Sequence, residues 1–201
     1  VIGVVGAIGA GKSAAARAMA ARGGAAVDAD RLGHDALERP DVKAAAVARW
    51  GTGVLKPDGT ADRRAIAAVV FADPAERRAL EALVYPVIQE RVADAVAAAQ
   101  ADPAVRFVVL DAAVMLEAGW HDRCDRILYV DAPPAVRLAR VAARSGWTAA
   151  DLAAREAAQM PAAEKRRRAD AVIENAGTPA DLQAAVDRVL AGWGLLPAAA
   201  V

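Results

Sequence analysis

The chain is poor in the residues that staple, ligate or span. It has one cysteine, Cys124, in 201 residues, so no intramolecular disulfide can form. A reducing, cytoplasmic setting is the expectation. Aromatic residues are only 4% of the chain, which leaves Val, Leu, Ile and Ala to build the core. Neither sign of charge prevails: 25 basic residues face 25 acidic ones. Bulk attraction to nucleic acid or to an anionic membrane therefore has no basis, and neither is expected as a partner. The two histidines, His34 and His121, stand apart, with no H-E-x-x-H and no Cys/His spacing, so no protein-held metal site is expected. No stretch reaches the roughly 18 uninterrupted apolar residues of a membrane span. Residues 105–119 come nearest, and Arg106, Asp111 and Glu117 interrupt them. No basic segment followed by an apolar one marks a signal peptide. Ser13 has no His/Asp pattern around it, so a hydrolase triad is unsupported.

What is present is concentrated near the start. Gly6-Ala7-Ile8-Gly9-Ala10-Gly11-Lys12-Ser13 fits G-x-x-x-x-G-K-[ST], the phosphate-binding P-loop. Val1 to Val5 read as a buried strand before it, and Lys12 to Arg22, rich in alanine, as a helix after it. Gly23-Gly24 ends that helix. Strand, glycine-rich turn and helix is the setting the motif requires. Glycines let backbone N–H groups turn inward around phosphate oxygens, and the positive end of the helix dipole points the same way. Lys12 is expected to reach the β- and γ-phosphates and the Ser13 hydroxyl to bind Mg²⁺. A nucleoside triphosphate is the implied ligand.

Five strand candidates follow, at 1–5, 25–28, 106–111, 126–131 and 170–174, with helical segments between them. That alternation predicts a three-layer α/β/α fold on a five-stranded parallel sheet, in one P-loop unit. Residues 1–30, 104–135 and 169–201 form its core, 31–103 a helical insertion, and 136–168 a lid with flanking helices. Asp28 and Asp30 are read at the end of the second strand, where positions two apart share a face. Asp30 is equally readable as the cap of a helix starting near Arg31. In the insertion, Asp62 caps one helix, and Asp73-Pro74-Ala75-Glu76 opens another with a capping-box acid. Pro86 falls inside that second helix and predicts a kink or break near Tyr85. Phe107 to Asp111 reads as a buried strand ending in an acid placed to hold Mg²⁺. Arg137, Arg140 and Arg144 share a helix face. With Arg155 they read as lid cations closing over phosphates. Lys165-Arg166-Arg167-Arg168 has the look of a nucleic-acid patch, but no aromatics are interleaved with it. Thr148 with Asp151, and Thr178-Pro179, begin further helices. The tail from Leu195 to Val201 is low in complexity and reads as frayed.

Together these residues resemble the dephospho-CoA kinase family. The likeness is carried by G-A-I-G-A-G-K-S at 6–13, V-D-A-D at 27–30, D-G-T-A-D-R-R at 58–64 and V-V-L-D-A-A-V-M-L-E at 108–117. The longest stretch is R-E-A-A-Q-M-P-A-A-E-K-R-R-R-A-D-A-V-I-E-N-A-G at 155–177. The resemblance implies transfer of the ATP γ-phosphate to the ribose 3′-hydroxyl of dephospho-CoA, with Mg²⁺. It implies Asp30 as the acid that accepts or orients the hydroxyl proton, with Lys12 and Arg140 also catalytic. Ile8, Gly9, Ala10, Gly11, Lys12, Ser13, Ala14, Arg140 and Asn175 would bind ATP. Arg144 and Arg155 would be lid cations. Asp30, Arg64, Tyr85 and Glu117 would face dephospho-CoA, and Ser13 and Asp111 would meet Mg²⁺.

Three positions depart from the family pattern. Ala14 stands where a Thr or Ser usually follows the P-loop serine, Tyr85-Pro86 stands for His-Pro, and Ala113 stands for the proline of Asp-x-Pro-Leu-Leu. The first is expected to weaken ATP binding, the second to remove an imidazolium, and the third to loosen the loop after Asp111. Two other readings stay open on the residues: another P-loop small-molecule kinase, and a weakened homologue that only binds nucleotide or CoA.

Overall fold

A computed structural model describes residues 1–196. The last part of the tail that reads as frayed, 197–201, lies outside them. Within the described part, Gly194 adopts a left-handed φ of 73° and lets the Leu195 N–H reach the Leu190 carbonyl at 2.8 Å. Leu195 and Leu196 pack against the core. The expectation of fraying therefore fails for these two residues, because a glycine turn folds them back onto apolar surface.

Five strands are formed: β1 (Ile2–Gly6), β2 (Gly24–Asp28), β3 (Phe107–Asp111), β4 (Arg126–Asp131) and β5 (Ala171–Glu174). All neighbours pair in parallel, in the order β2-β3-β1-β4-β5. β1 and β3 are buried at every position and β4 at its four central apolar positions. That is why these strands read as continuous apolar runs rather than alternating ones. One face carries Ile2, Val4, Phe107, Val109, Leu128 and Val130, packed on Met19 of α1 (Lys12–Ala20) and on Leu182, Val186 and Leu190 of α9 (Pro179–Gly192). Gly3 sits on the other face, where an added Cβ would meet Met115 and the Cys124 thiol. The chain after β3 thus covers that side.

The remaining helices are α2 (Ala29–Ala36), α3 (Pro40–Trp50), α4 (Arg63–Ala72), α5 (Pro74–Ala101), α6 (Pro134–Ser145), α7 (Ala149–Ala157) and α8 (Ala162–Arg167). Capping boxes Thr148/Asp151 and Thr178/Asp181 start α7 and α9, and the Asp62 carboxylate accepts from the Arg64 and Ala65 N–H groups at the start of α4.

Three local expectations need correction. Of the kink or break expected near Tyr85, the break does not form: helix α5 runs through Pro86 for 28 residues. Val84, Val87, Ile88 and Val92 are buried, and that burial outweighs one lost backbone hydrogen bond and the modest helix propensity of the β-branched residues around Pro86. Glu76, read as a capping-box acid, spends its carboxylate on Arg49 and on the Trp50 indole N–H, each at 2.7 Å. And β2 ends at Asp28, with Asp30 in the first turn of α2. Extended-chain spacing therefore does not relate the two acids.

The chain divides into two compact units. One holds residues 1–28 and the described residues from 95 onward, with the whole sheet, and the other holds Ala29–Asp94. In the second, a Pro57-Asp58-Gly59 turn closes a single antiparallel bridge, Leu55 to Ala61, between α3 and α4. Gly33 of α2 lies close to Ile88 of α5.

Candidate active site

The carboxyl edge of the sheet collects the polar residues of the first unit. The P-loop leaves β1 at Gly6, where a Cβ would collide with the Val130 carbonyl of β4. Gly9 and Gly11 take left-handed φ values of 81° and 96°, which side chains with a Cβ rarely adopt. At Gly11 a Cβ would also strike the Asn175 amide. The loop then enters α1, where the Ala14 and Ala15 N–H groups bind the Gly11 carbonyl at 2.9 and 3.0 Å, so only the earlier N–H groups of the turn precede the first intrahelical acceptor. Ser13 is exposed in that turn, and Ala14 packs inward against the core.

The loop is held in shape from the far side of the sheet. The Ala10 carbonyl accepts from Asn175 Nδ2 at 2.8 Å and from Arg140 Nη1 at 3.3 Å, which fills both lone pairs of one oxygen. Asn175 is buried and follows β5, its own N–H bound to the Asp131 carbonyl at 2.8 Å. Arg137, one turn before Arg140, donates to the Ile8 carbonyl at 3.2 Å and pairs with Glu156 of α7. Of the arginine face in α6, then, two members grip the P-loop backbone, and Arg144 is exposed near the helix end. Arg155 lies on the face of Trp147, 4.0 Å from the ring centroid. This cation–π contact gives the Arg155 guanidinium an aromatic neighbour earlier in the chain.

Lys12 pairs with Asp111, which ends β3 and is 3% exposed. Asp28 is the register partner of Asp111 on the adjoining strand, so two carboxylate residues end side by side at this edge. Glu117 forms an ion pair with Lys165 Nζ at 2.8 Å and accepts from the Met160 N–H at 2.9 Å. Lys165 Nζ also donates to the Ala113 carbonyl at 2.9 Å. The loop after Asp111 is thus tied at the residue where the missing proline was expected to loosen it. Arg166 pairs with Asp131, and Arg167 and Arg168 both pair with Glu164. The tetrad that has the look of a nucleic-acid patch is engaged within the protein.

The structure brings together Ile8 to Ala14, Asp111, Arg137, Arg140 and Asn175 in the first unit. Asp30, Arg64 and Tyr85 belong to the second, where Asp30 and Arg64 are exposed in the first turns of α2 and α4 and Tyr85 is half-buried in α5. Arg137, Glu156 and Lys165 carry connections that the sequence reading did not single out. The signal for Lys165 was available in principle, since Glu117, Gln159 and Ala113 supply acceptors, but only the fold shows that they meet.

With the geometry in place, comparison with known proteins is informative. The family model described as dephospho-CoA kinase matches residues 1–181. A protein named dephospho-CoA kinase from Anaeromyxobacter dehalogenans is 42% identical over 95% of this chain and 90% of its own length. One of the same name from Methylococcus capsulatus is 40% identical over 99% of both. Among solved structures, a Thermus thermophilus protein superposes with a TM-score of 0.79 at 37% identity, covering 95% of this chain and 96% of that one.

Proposed function

The chain belongs to the dephospho-CoA kinase family, and from that premise we propose that it transfers the γ-phosphoryl group of ATP to the ribose 3′-hydroxyl of dephospho-CoA, giving CoA and ADP. The observation that carries the reading is the P-loop at the carboxyl edge of the sheet, with Lys12 against Asp111 and the Ala10 carbonyl gripped by Asn175 and Arg140.

Phosphoryl transfer needs position and charge more than covalent help. Ile8 to Ser13 wrap the β- and γ-phosphates with backbone N–H groups, and Asn175 and Arg140 keep those groups aimed by holding the Ala10 carbonyl outward. Lys12 neutralises charge on the transferring phosphoryl. Arg144 and Arg155 do the same from the lid once nucleotide is in place. Asp30 accepts or orients the proton of the 3′-hydroxyl, and Arg64, Tyr85 and Glu117 serve the acceptor side. These roles follow the family pattern, except that Tyr85 stands where the family has histidine.

The residues fit Mg²⁺ as a partner of the nucleotide rather than as a caged ion. Among the described residues no group of three or more His, Cys, Asp or Glu forms a metal cage. Mg²⁺ is usually held by one or two carboxylates with substrate phosphates, and Asp111 and Ser13 provide hard oxygen donors of that kind. When bound, the ion neutralises charge across the β- and γ-phosphates.

The direct test incubates the purified protein with ATP, Mg²⁺ and dephospho-CoA, then follows ADP release and the mass of the product. ADP formation that requires dephospho-CoA, with CoA as product, is expected. ADP above background with another acceptor and none with dephospho-CoA would overturn the reading.

A further inference from the structure

Lys165 stands apart from its neighbours in the 165–168 run. Its side chain is 2% exposed, whereas those of Arg166, Arg167 and Arg168 are 43% exposed or more. Three partners surround the Lys165 ammonium group: it donates to the Ala113 carbonyl at 2.9 Å and to the Gln159 side-chain oxygen at 3.1 Å, and pairs with the Glu117 carboxylate at 2.8 Å. Two of these lie on the loop after β3, and the third lies where the chain returns from α7. The Glu117 carboxylate reinforces the link by accepting the Met160 N–H at 2.9 Å.

We infer that Lys165 is a positioning residue, a pin that fixes the loop after Asp111 to the base of the lid. Both tied segments lead to the site. The loop begins at Asp111, which pairs with Lys12. The other segment continues α7, which carries Arg155 and whose Glu156 pairs with Arg137, itself bound to the Ile8 carbonyl. A cavity of about 150 Å³ lined by Gly6, Ile8, Arg137, Glu156, Met160 and Lys165 lies between these ties. A residue needed only for packing would be served as well by leucine or methionine, since a buried ion pair often contributes no more stability than an apolar pair of similar volume. What the charged residue adds is geometry: three partners on two segments are held at fixed distance. Its consequence for turnover rests on the kinase reading above.

The test compares wild type, Lys165→Met, Gln159→Leu and the double variant by steady-state kinetics well below the melting midpoint and by hydrogen exchange of the full chain. In Lys165→Met, kcat is expected to fall about 10- to 100-fold, the scale on which small misplacements act. KM for ATP should stay within about threefold, because the P-loop grip through Asn175 and Arg140 is untouched. Amides in 112–118 and 157–162 should lose protection together while α9 keeps its own. The double variant should be no worse than Lys165→Met within about twofold, as members of one network are not additive. Protection lost equally across α9 and β4, with kcat unchanged, would show a merely structural lysine and overturn the inference. If Lys165→Met does not fold, Gln159→Leu carries the same comparison with smaller effects. Should wild type fail to phosphorylate dephospho-CoA, the kinase reading falls, and the exchange pattern still decides the pin.

Discussion

Single residues decide the shape of the cradle and the chemistry next to it. At Gly11 both a φ of 96° and the Asn175 amide exclude a side chain. Gly11→Ala is therefore expected to reduce ATP affinity by more than tenfold by calorimetric titration, a change of about 1.4 kcal/mol. For Asp30, now seen in the first turn of α2 rather than in a strand, the roles of base and helix-start acid separate experimentally. Asp30→Asn should lower kcat by about 10² to 10⁴ with ATP binding nearly unchanged, the range for loss of a general base. Turnover within a few-fold of wild type would assign Asp30 to the helix and move the base to Asp28. At Cys124 burial dominates: desolvation, opposed by the Val1 ammonium and aided by the Asp125 carboxylate, pushes its thiol up to about 11. At neutral pH it is a thiol rather than the reactive thiolate, so an aromatic disulfide reagent should modify it slowly in the folded protein and at once in denaturant. At this scale the sequence showed which residue types were present, and it assigned the P-loop and Asp111 from local spacing. It did not show Lys165 or Glu156, because their partners lie in other segments and a run of cations carries no sign of which member is buried.

Elements were legible wherever start signals and apolar runs agreed. All five strands fall within two residues of their expected bounds, because the central ones are buried on both faces and so lack polar interruptions. Thr148 and Thr178 open their helices as the capping signals indicate. Thr178→Ala is expected to cost about 1 kcal/mol in urea unfolding. The Thr178 hydroxyl and N–H hold the Asp181 carboxyl below the usual carboxylate range, and Thr148 does the same for Asp151. A depressed folded value means that the contribution is complete above the ordinary pKa of ~3.9 and is lost as pH falls through the folded value. The stability gap between wild type and Asp181→Asn should accordingly be present at neutral pH and close in strong acid. Helix α5 was not legible at Pro86, since a local rule for proline cannot weigh the burial of Val84, Val87 and Ile88 around it. Pro86→Ala restores a donor for the Ala82 carbonyl and should raise the melting midpoint, whatever it does to KM for dephospho-CoA.

For the whole molecule, parallel sheet and P-loop were readable together because they are one pattern: a strand, a turn and a helix at the edge where ligands bind. The division after Asp28 and Asp94 was readable only as a change from strands to helices, whereas its limits depend on contacts that no local pattern carries. Zero formal charge and the internal pairing of Arg166, Arg167 and Arg168 lead to the expectation that duplex DNA will not shift this protein in a gel at physiological salt. The grip on Ala10 has a consequence for how the protein comes into being. Its two side chains follow that residue by 130 and 165 positions in the chain. A growing polypeptide has the complete nucleotide motif once Ser13 is added, yet the carbonyl that shapes it waits for Arg140 and then for Asn175. Nucleotide capture is therefore a late event in biogenesis, and a chain stalled before its final strand should carry the motif without the affinity.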